Sequence, residues 1–215
     1  MTVNVTTRQN QITLSRSERL RESTMAEHKS AENKTYIGSL MGGELDLGEY
    51  ARYLSQLAPV YVALEARANP SDPAFLRDAR LHRSAAIASD LIALGYPDWR
   101  TRFPVLDATA AYAAHLAVVS DQHYSIYLAH HYTRYLGDLS GGQIIATMMT
   151  RHYGATDEQL NFYQFAGIDK PVPYKRSYRE QIDALELTPE QDDRLIAETR
   201  RAYELNAAVF DALGA

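Results

Sequence analysis

The sequence predicts an all-α fold, and three observations carry that prediction. Apolar residues recur at helical spacing along almost the whole chain. No run of β-branched residues alternates with period two, so strands find no support. Helix punctuation is frequent: Asp46 with Glu49 three residues on resembles a capping box, and Thr188-Pro189-Glu190-Gln191 places a cap and a first-turn proline together.

The elements follow in order. Residues 1–14 are polar and are expected to form a flexible N-terminal segment, leaving 15–215 as a single helical domain. A first helix is expected from Ser15 or Ser17 to Asn33. Its Leu20, Thr24, His28 and Ala31 share one face, which turns His28 inward. A short turn of helix over 35–41 stops at Gly42-Gly43. A long helix then runs from Asp46 to Ala68, with a kink expected at Pro59. After Asn69-Pro70 comes a helix over 73–94 that ends at Gly95, followed by one over 105–118. Asp121 is expected to cap a glycine-bearing helix that ends near Tyr153, with Gly154 just beyond it. Helices over 172–186 and from Thr188 to Leu213 complete the chain.

Composition narrows the function. The 215 residues are 46% hydrophobic and 23% charged, an ordinary globular balance, and the net charge of −5 argues against a nucleic-acid surface. Cysteine is absent, which leaves histidine and carboxylates as the metal ligands on offer. A cytosolic, reducing location fits the absence of cysteine, no window approaches the roughly 20 apolar residues of a membrane span, and a monomer rather than an obligate oligomer is expected.

The stretch His130 to Met149 reads as helix yet holds Gly137, Gly141 and Gly142, each costing roughly 0.5–1 kcal/mol relative to alanine. Membrane packing does not explain them, because Arg134 and Asp138 lie in the same stretch. A phosphate loop does not either, because Gln143-Ile144 stand where lysine and serine or threonine are required. Two uses of bare backbone remain open: close approach of a second helix, or of a flat ligand.

The segment Tyr132-Thr133-Arg134-Tyr135-Leu136-Gly137-Asp138-Leu139-Ser140-Gly141-Gly142-Gln143 resembles the distal-helix signature of the heme oxygenases. Similar matches run through His28-x-x-Ala31-Glu32, Tyr61 to Glu65, Leu81-His82-Arg83, Tyr174 to Arg179, Leu185 to Pro189, and Asn206 with Phe210. The resemblance implies a heme held between the first helix and a glycine-kinked distal helix, with His28 as iron ligand and Glu32 orienting its other nitrogen. Gly137, Gly141 and Gly142 would cross close over the distal face. Asp138 would hold water that passes a proton to iron-bound peroxide, and Arg134, Tyr61, His82 and Asn206 would belong to the same network.

By the same resemblance Arg21, Lys175 and Arg179 would bind the heme propionates, joined by Tyr132, and Phe210 would line the pocket. Met25 departs from the pattern, standing where a basic residue is common, so one side of that clamp is thinner. The implied reaction takes heme, O2 and electrons from a separate reductase or ferredoxin to biliverdin, carbon monoxide and Fe2+, for iron acquisition or heme turnover. A heme carrier and a non-heme enzyme of the related thiamin-degrading fold are the rival readings.

Overall fold

The computed structural model describes residues 14–215, so the segment expected at 1–14 lies, apart from Leu14, outside the described residues. Eleven α-helices and several tight turns account for the regular structure among them, with no strand, as the hydropathy pattern predicts.

The expected first helix is two. Helix α1 (Arg16–Ser23) begins at Ser15, whose side chain and that of Glu18 form a reciprocal capping box. Helix α2 (Met25–Glu32) follows a break at Thr24, whose hydroxyl donates to Leu20 O at 2.8 Å and whose backbone leaves the helical region at φ −120°. Leu20, Thr24 and Ala31 are buried as the periodicity requires, but the His28 side chain is 39% exposed and sits at the margin of the core. Helix α3 (Thr35–Gly42) ends at Gly43, which adopts the left-handed conformation.

Helix α4 (Leu47–Glu65) is the central beam. Asp46 caps it by accepting from Glu49 N at 2.8 Å, and it continues through Pro59. Its Tyr50, Leu54, Tyr61 and Leu64 are fully buried.

The helix expected over 73–94 is present only as α5 (Ser84–Ala93), preceded by tight turns at Ala74–Arg77 and Ala79–Leu81. The reason lies far away in sequence. Glu65, at the end of α4, accepts hydrogen bonds from the backbone N–H groups of Arg83 and Ser84 and so caps α5 from outside. Asp78 closes the preceding turn through Arg80 N at 3.1 Å.

Helix α6 (Trp99–Arg102) is a single turn that the periodicity did not reveal, and α7 (Asp107–Ser120) matches expectation. Asp121 ends α7 rather than opening the next helix. His123 does that instead, its Nδ1 accepting from Ser125 N at 3.3 Å.

Helix α8 (Tyr124–His131) runs into two consecutive π-helical turns, Tyr132–Leu136 and Asp138–Gly142, and then into α9 (Gln143–Tyr153). This is the glycine-bearing helix of the sequence, widened by π turns, which concentrate at functional positions. Gly154 ends it in the left-handed region at φ 67°. Helices α10 (Pro171–Asp183) and α11 (Pro189–Gly214) finish the domain, the last opened by the Thr188–Gln191 capping box. Helix α4 packs on α5 and α7, while α11 packs on α1, α2, α3, α7 and α8 and so joins the first and last described helices in one core. Among the described residues no helix is long and apolar enough to cross a membrane.

One buried group makes the fold sensitive to acid. His131 is 2% exposed, its Nδ1 paired with the Tyr178 hydroxyl at 2.7 Å, and burial, aided by His82, pushes its pKa down to about 3. The unfolded chain takes up this proton from about pH 6.5 downward, and the native chain does so only near pH 3. Stability is therefore complete above pH 6.5 and falls as the pH falls. Between pH 6.5 and 5 this group alone should remove about 2 kcal/mol. Urea unfolding at the two pH values should give a drop smaller by about that amount in His131→Asn.

Candidate functional site

Bare backbone at the two π turns serves two different ends. A Cβ added at Gly142 would lie 2.9 Å from Cδ1 of Tyr163, a buried ring, so this glycine admits a packing neighbour. A Cβ added at Gly137 or Gly141 would meet no protein atom within 4 Å. The two uses left open by the sequence are thus divided: Gly142 packs the core, and Gly137 with Gly141 line an open surface. Gly142→Ala should cost about 1–3 kcal/mol through overpacking. Gly141→Ala should leave the apoprotein unchanged or stabilise it by up to about 1 kcal/mol. Thermal unfolding of both variants checks the contrast.

Directly behind the glycines lies a buried polar group. Asp138, 8% exposed, accepts a hydrogen bond from the Tyr61 hydroxyl through Oδ2 and stands 3.8 Å from Arg134 Nη2 through Oδ1. Arg134 donates to the Tyr61 hydroxyl from Nε at 3.1 Å and Nη2 at 2.9 Å, and from Nη1 to the Asn206 side-chain oxygen. Four residues from three elements, α4, the π turns and α11, therefore form one connected set, as the sequence resemblance implied.

Its electrostatics follow from burial. The Asp138 carboxyl is pushed up by burial, against the pull of Arg134, of the Tyr61 hydrogen bond and of Arg83. Burial likewise holds the Tyr61 hydroxyl neutral, well above its ordinary value. Burial alone would lower Arg134, but Tyr61 and Asp138 more than compensate and keep it charged. A carboxyl with raised proton affinity, fixed by a neutral donor and a permanent cation, is suited to hold and pass protons.

The set is braced from behind. Phe162 packs edge-on against Tyr61 with ring centroids 5.4 Å apart, and Asp90 fixes that strip by accepting from Asn161 N and Phe162 N, each at 2.8 Å. Arg83, also buried, donates to Gln164 O at 2.7 Å and lies over Phe165.

On α2, His28 Nδ1 is buried with Glu32 Oε2 3.4 Å away and makes no hydrogen bond. The exposed 39% of the side chain therefore lies away from Nδ1. Tyr203 of α11 meets the ring edge-on at 5.4 Å. Sequence reasoning missed Tyr203, although Tyr203, Asn206 and Phe210 fall at i, i+3 and i+7 on one helical face. Phe210 itself is buried beside Tyr53 at 5.8 Å, within the core.

The basic residues also gather. Burial raises the Tyr132 hydroxyl, while the positive charges of Arg179 and Arg21, both within electrostatic range, act to lower it. Lys175 donates to Ser140 Oγ at 2.8 Å, tying α10 to the second π turn, and burial with Arg179 nearby lowers it. His82 is the exception. It is exposed, its charge acts on His131, and it has no hydrogen bond to the Asp138 set. The turns at 74–81 carry it outward, because Glu65 starts α5 directly after it.

Fold and site together define an all-helical protein with a buried, connected polar cluster beside a stretch of bare glycine backbone. Comparison with known proteins fixes the family. The sequence model described as heme oxygenase matches residues 14–212. Heme oxygenase 1 of Gallus gallus is 35% identical over 204 residues, covering 92% of this chain and 69% of the relative. Heme oxygenase of Porphyra purpurea is 33% identical, covering 90% and 84%. The crystal structure of heme oxygenase-1 from the cyanobacterium Synechocystis sp. PCC6803 in complex with heme superposes with a TM-score of 0.84 at 29% identity, covering 92% of this chain and 91% of the other. The chain belongs to the heme oxygenase family and is a heme-degrading oxidoreductase.

Proposed function

We propose that this protein converts heme, with O2 and electrons from a separate reductase or ferredoxin, into biliverdin, carbon monoxide and Fe2+, in the service of iron acquisition or heme turnover. The observation that carries this reading is the Tyr61–Asp138–Arg134–Asn206 set lying directly beneath Gly137 and Gly141, where a side chain would find only open space.

The residues present fit heme in three respects. His28 offers its Nε2 side with Nδ1 turned toward Glu32, the two glycines leave room for a flat ring, and Arg21, Arg179 and Tyr132 gather cations suited to propionates. Bound heme supplies the iron that activates oxygen and is also the molecule consumed. The chain does the rest. His28 holds the ring from one side. Gly137 and Gly141 permit close approach from the other, so that a neighbouring side chain does not occupy the place of oxygen. Asp138, kept in position by Tyr61 and Arg134, holds the proton-bearing water on that side. Lys175, fastened to Ser140, sets the spacing between α10 and the glycine wall.

We infer a monomer acting in the cytoplasm. Its electron donor docks at the heme edge, where Arg21 and Arg179 provide positive charge.

A single titration tests the reading. Hemin added to the apoprotein should give a one-to-one Soret band. With a reductase system in air, that band should disappear as biliverdin absorption grows. A band that forms and then persists would identify a heme carrier, and the absence of a stoichiometric band would point to a non-heme enzyme.

A further inference from the structure

Where α7, α8 and α11 meet, away from the glycine wall, three side chains converge that the reaction above does not use. His115 Nε2 of α7 lies 2.5 Å, and His130 Nε2 of α8 lies 2.8 Å, from the same oxygen of Glu198 on α11. One ligand atom from each lies within 4.8 Å of the others, the one such group of histidines and carboxylates among the described residues. We propose that His115, His130 and Glu198 bind one divalent first-row cation of the zinc or ferrous-iron type.

The donor set favours such a cation. Two imidazoles and one carboxylate suit zinc and ferrous iron, whereas magnesium and calcium prefer oxygen donors throughout. The geometry is nearly in place. Bonds of about 2.0–2.1 Å from a tetrahedral cation leave its ligand atoms roughly 3.3 Å apart, so each imidazole nitrogen need only draw back slightly from the Glu198 oxygen.

The group is also closed on one side and open on the other. His130 is fully buried, while His115 is 31% and Glu198 17% exposed, which leaves an entry path and room for water as a further ligand.

Proton bookkeeping is simple. In the metal-free arrangement both imidazoles carry hydrogen on Nε2 and donate it to Glu198. On binding, each moves its proton to Nδ1 and offers the Nε2 lone pair, a change of tautomer with no net loss of protons from neutral rings. For His130 the relocated N–H faces the Tyr112 hydroxyl, 3.4 Å from Nδ1 and able to accept it, the kind of outer partner that orients metal-bound histidines. Neutral imidazole and ionised carboxylate are the forms that bind metal.

The site would clip three helices together. His130 lies on α8, which runs directly into the π turns that carry Arg134 and Asp138, so the clip adjoins that polar set.

The test uses the full chain without an affinity tag. Titration of apoprotein with Zn2+, followed by calorimetry, and with Co2+, followed by its tetrahedral visible bands, should show one site per chain. Saturating Zn2+ should raise the Tm by about 5–10 °C. His115→Ala and Glu198→Gln should each weaken binding by about 100-fold or more, while the hemin titration keeps its Soret band. His28→Ala should leave cation binding intact. The proposal is overturned by absence of the site in wild type, by binding that survives both variants, or by binding lost in His28→Ala, which would assign the cation to His28 and Glu32. None of these readouts depends on heme turnover.

Discussion

His28→Ala is expected to abolish the imidazole-ligated ferric heme spectrum and to reduce biliverdin formation by about 100-fold or more. Loss of an outer partner alone typically costs 10–100-fold in a metal site, and the ligand itself should cost at least as much. The fold should tolerate the change. The His28 side chain is 39% exposed and its Nδ1 has no hydrogen bond to lose, so the unfolding free energy should move by less than about 1 kcal/mol. Added imidazole should restore part of the spectrum by entering the space left. Unchanged ligation in the variant would move the axial role to another histidine, and the exposed His82 would be the next to test.

Asp138→Ala is expected to keep the heme spectrum while lowering biliverdin yield by about 10²- to 10⁴-fold, the usual contribution of a positioned proton donor. The electrons consumed should appear as hydrogen peroxide instead. The expectation rests on the partners that remain: Tyr61 loses its acceptor, and Arg134 keeps only Tyr61 and Asn206. Removing one member of a buried set should also cost about 1–3 kcal/mol, so the comparison belongs at a temperature well below the variant's melting point. Asp138→Asn separates the effects, since it restores a hydrogen-bond acceptor for Tyr61 without restoring the acid. Normal biliverdin yield in both variants would remove Asp138 from the chemistry.

What the sequence disclosed, and what it did not, follows the range of the interactions involved. Caps made by near neighbours were legible: Asp46 with Glu49, Thr188 with Gln191 and the left-handed Gly154 stand where the pattern puts them. The meeting of Tyr61, Arg134, Asp138 and Asn206 was legible as well, because a twelve-residue signature pointed to Arg134 and Asp138 while collinear matches pointed to Tyr61 and Asn206. The shortened helix before Gly95 was not legible, since its start is dictated by Glu65 across a long loop. The break at Thr24, where φ reaches −120°, has no counterpart in the apolar periodicity, which runs straight through it. The outward position of His82 was not legible for the same kind of reason: a matching tripeptide does not say which way a tight turn will carry its middle residue. The meeting of His115, His130 and Glu198 leaves no local trace, because three separate helices contribute one residue each.

The two consecutive π turns have an effect on numbering that reaches beyond the glycines. Each wide turn holds more residues than an ordinary one, so side chains after Gly142 lag in angle behind the positions that a uniform 3.6-residue count assigns them. Helix α8 is buried on every side, yet Met149 is the one fully inward residue of α9. A helical wheel drawn straight through residues 124–153 would therefore turn the wrong stripe of the last three turns toward the interior. Substitutions there are better chosen by counting from Gly142 than from Tyr124.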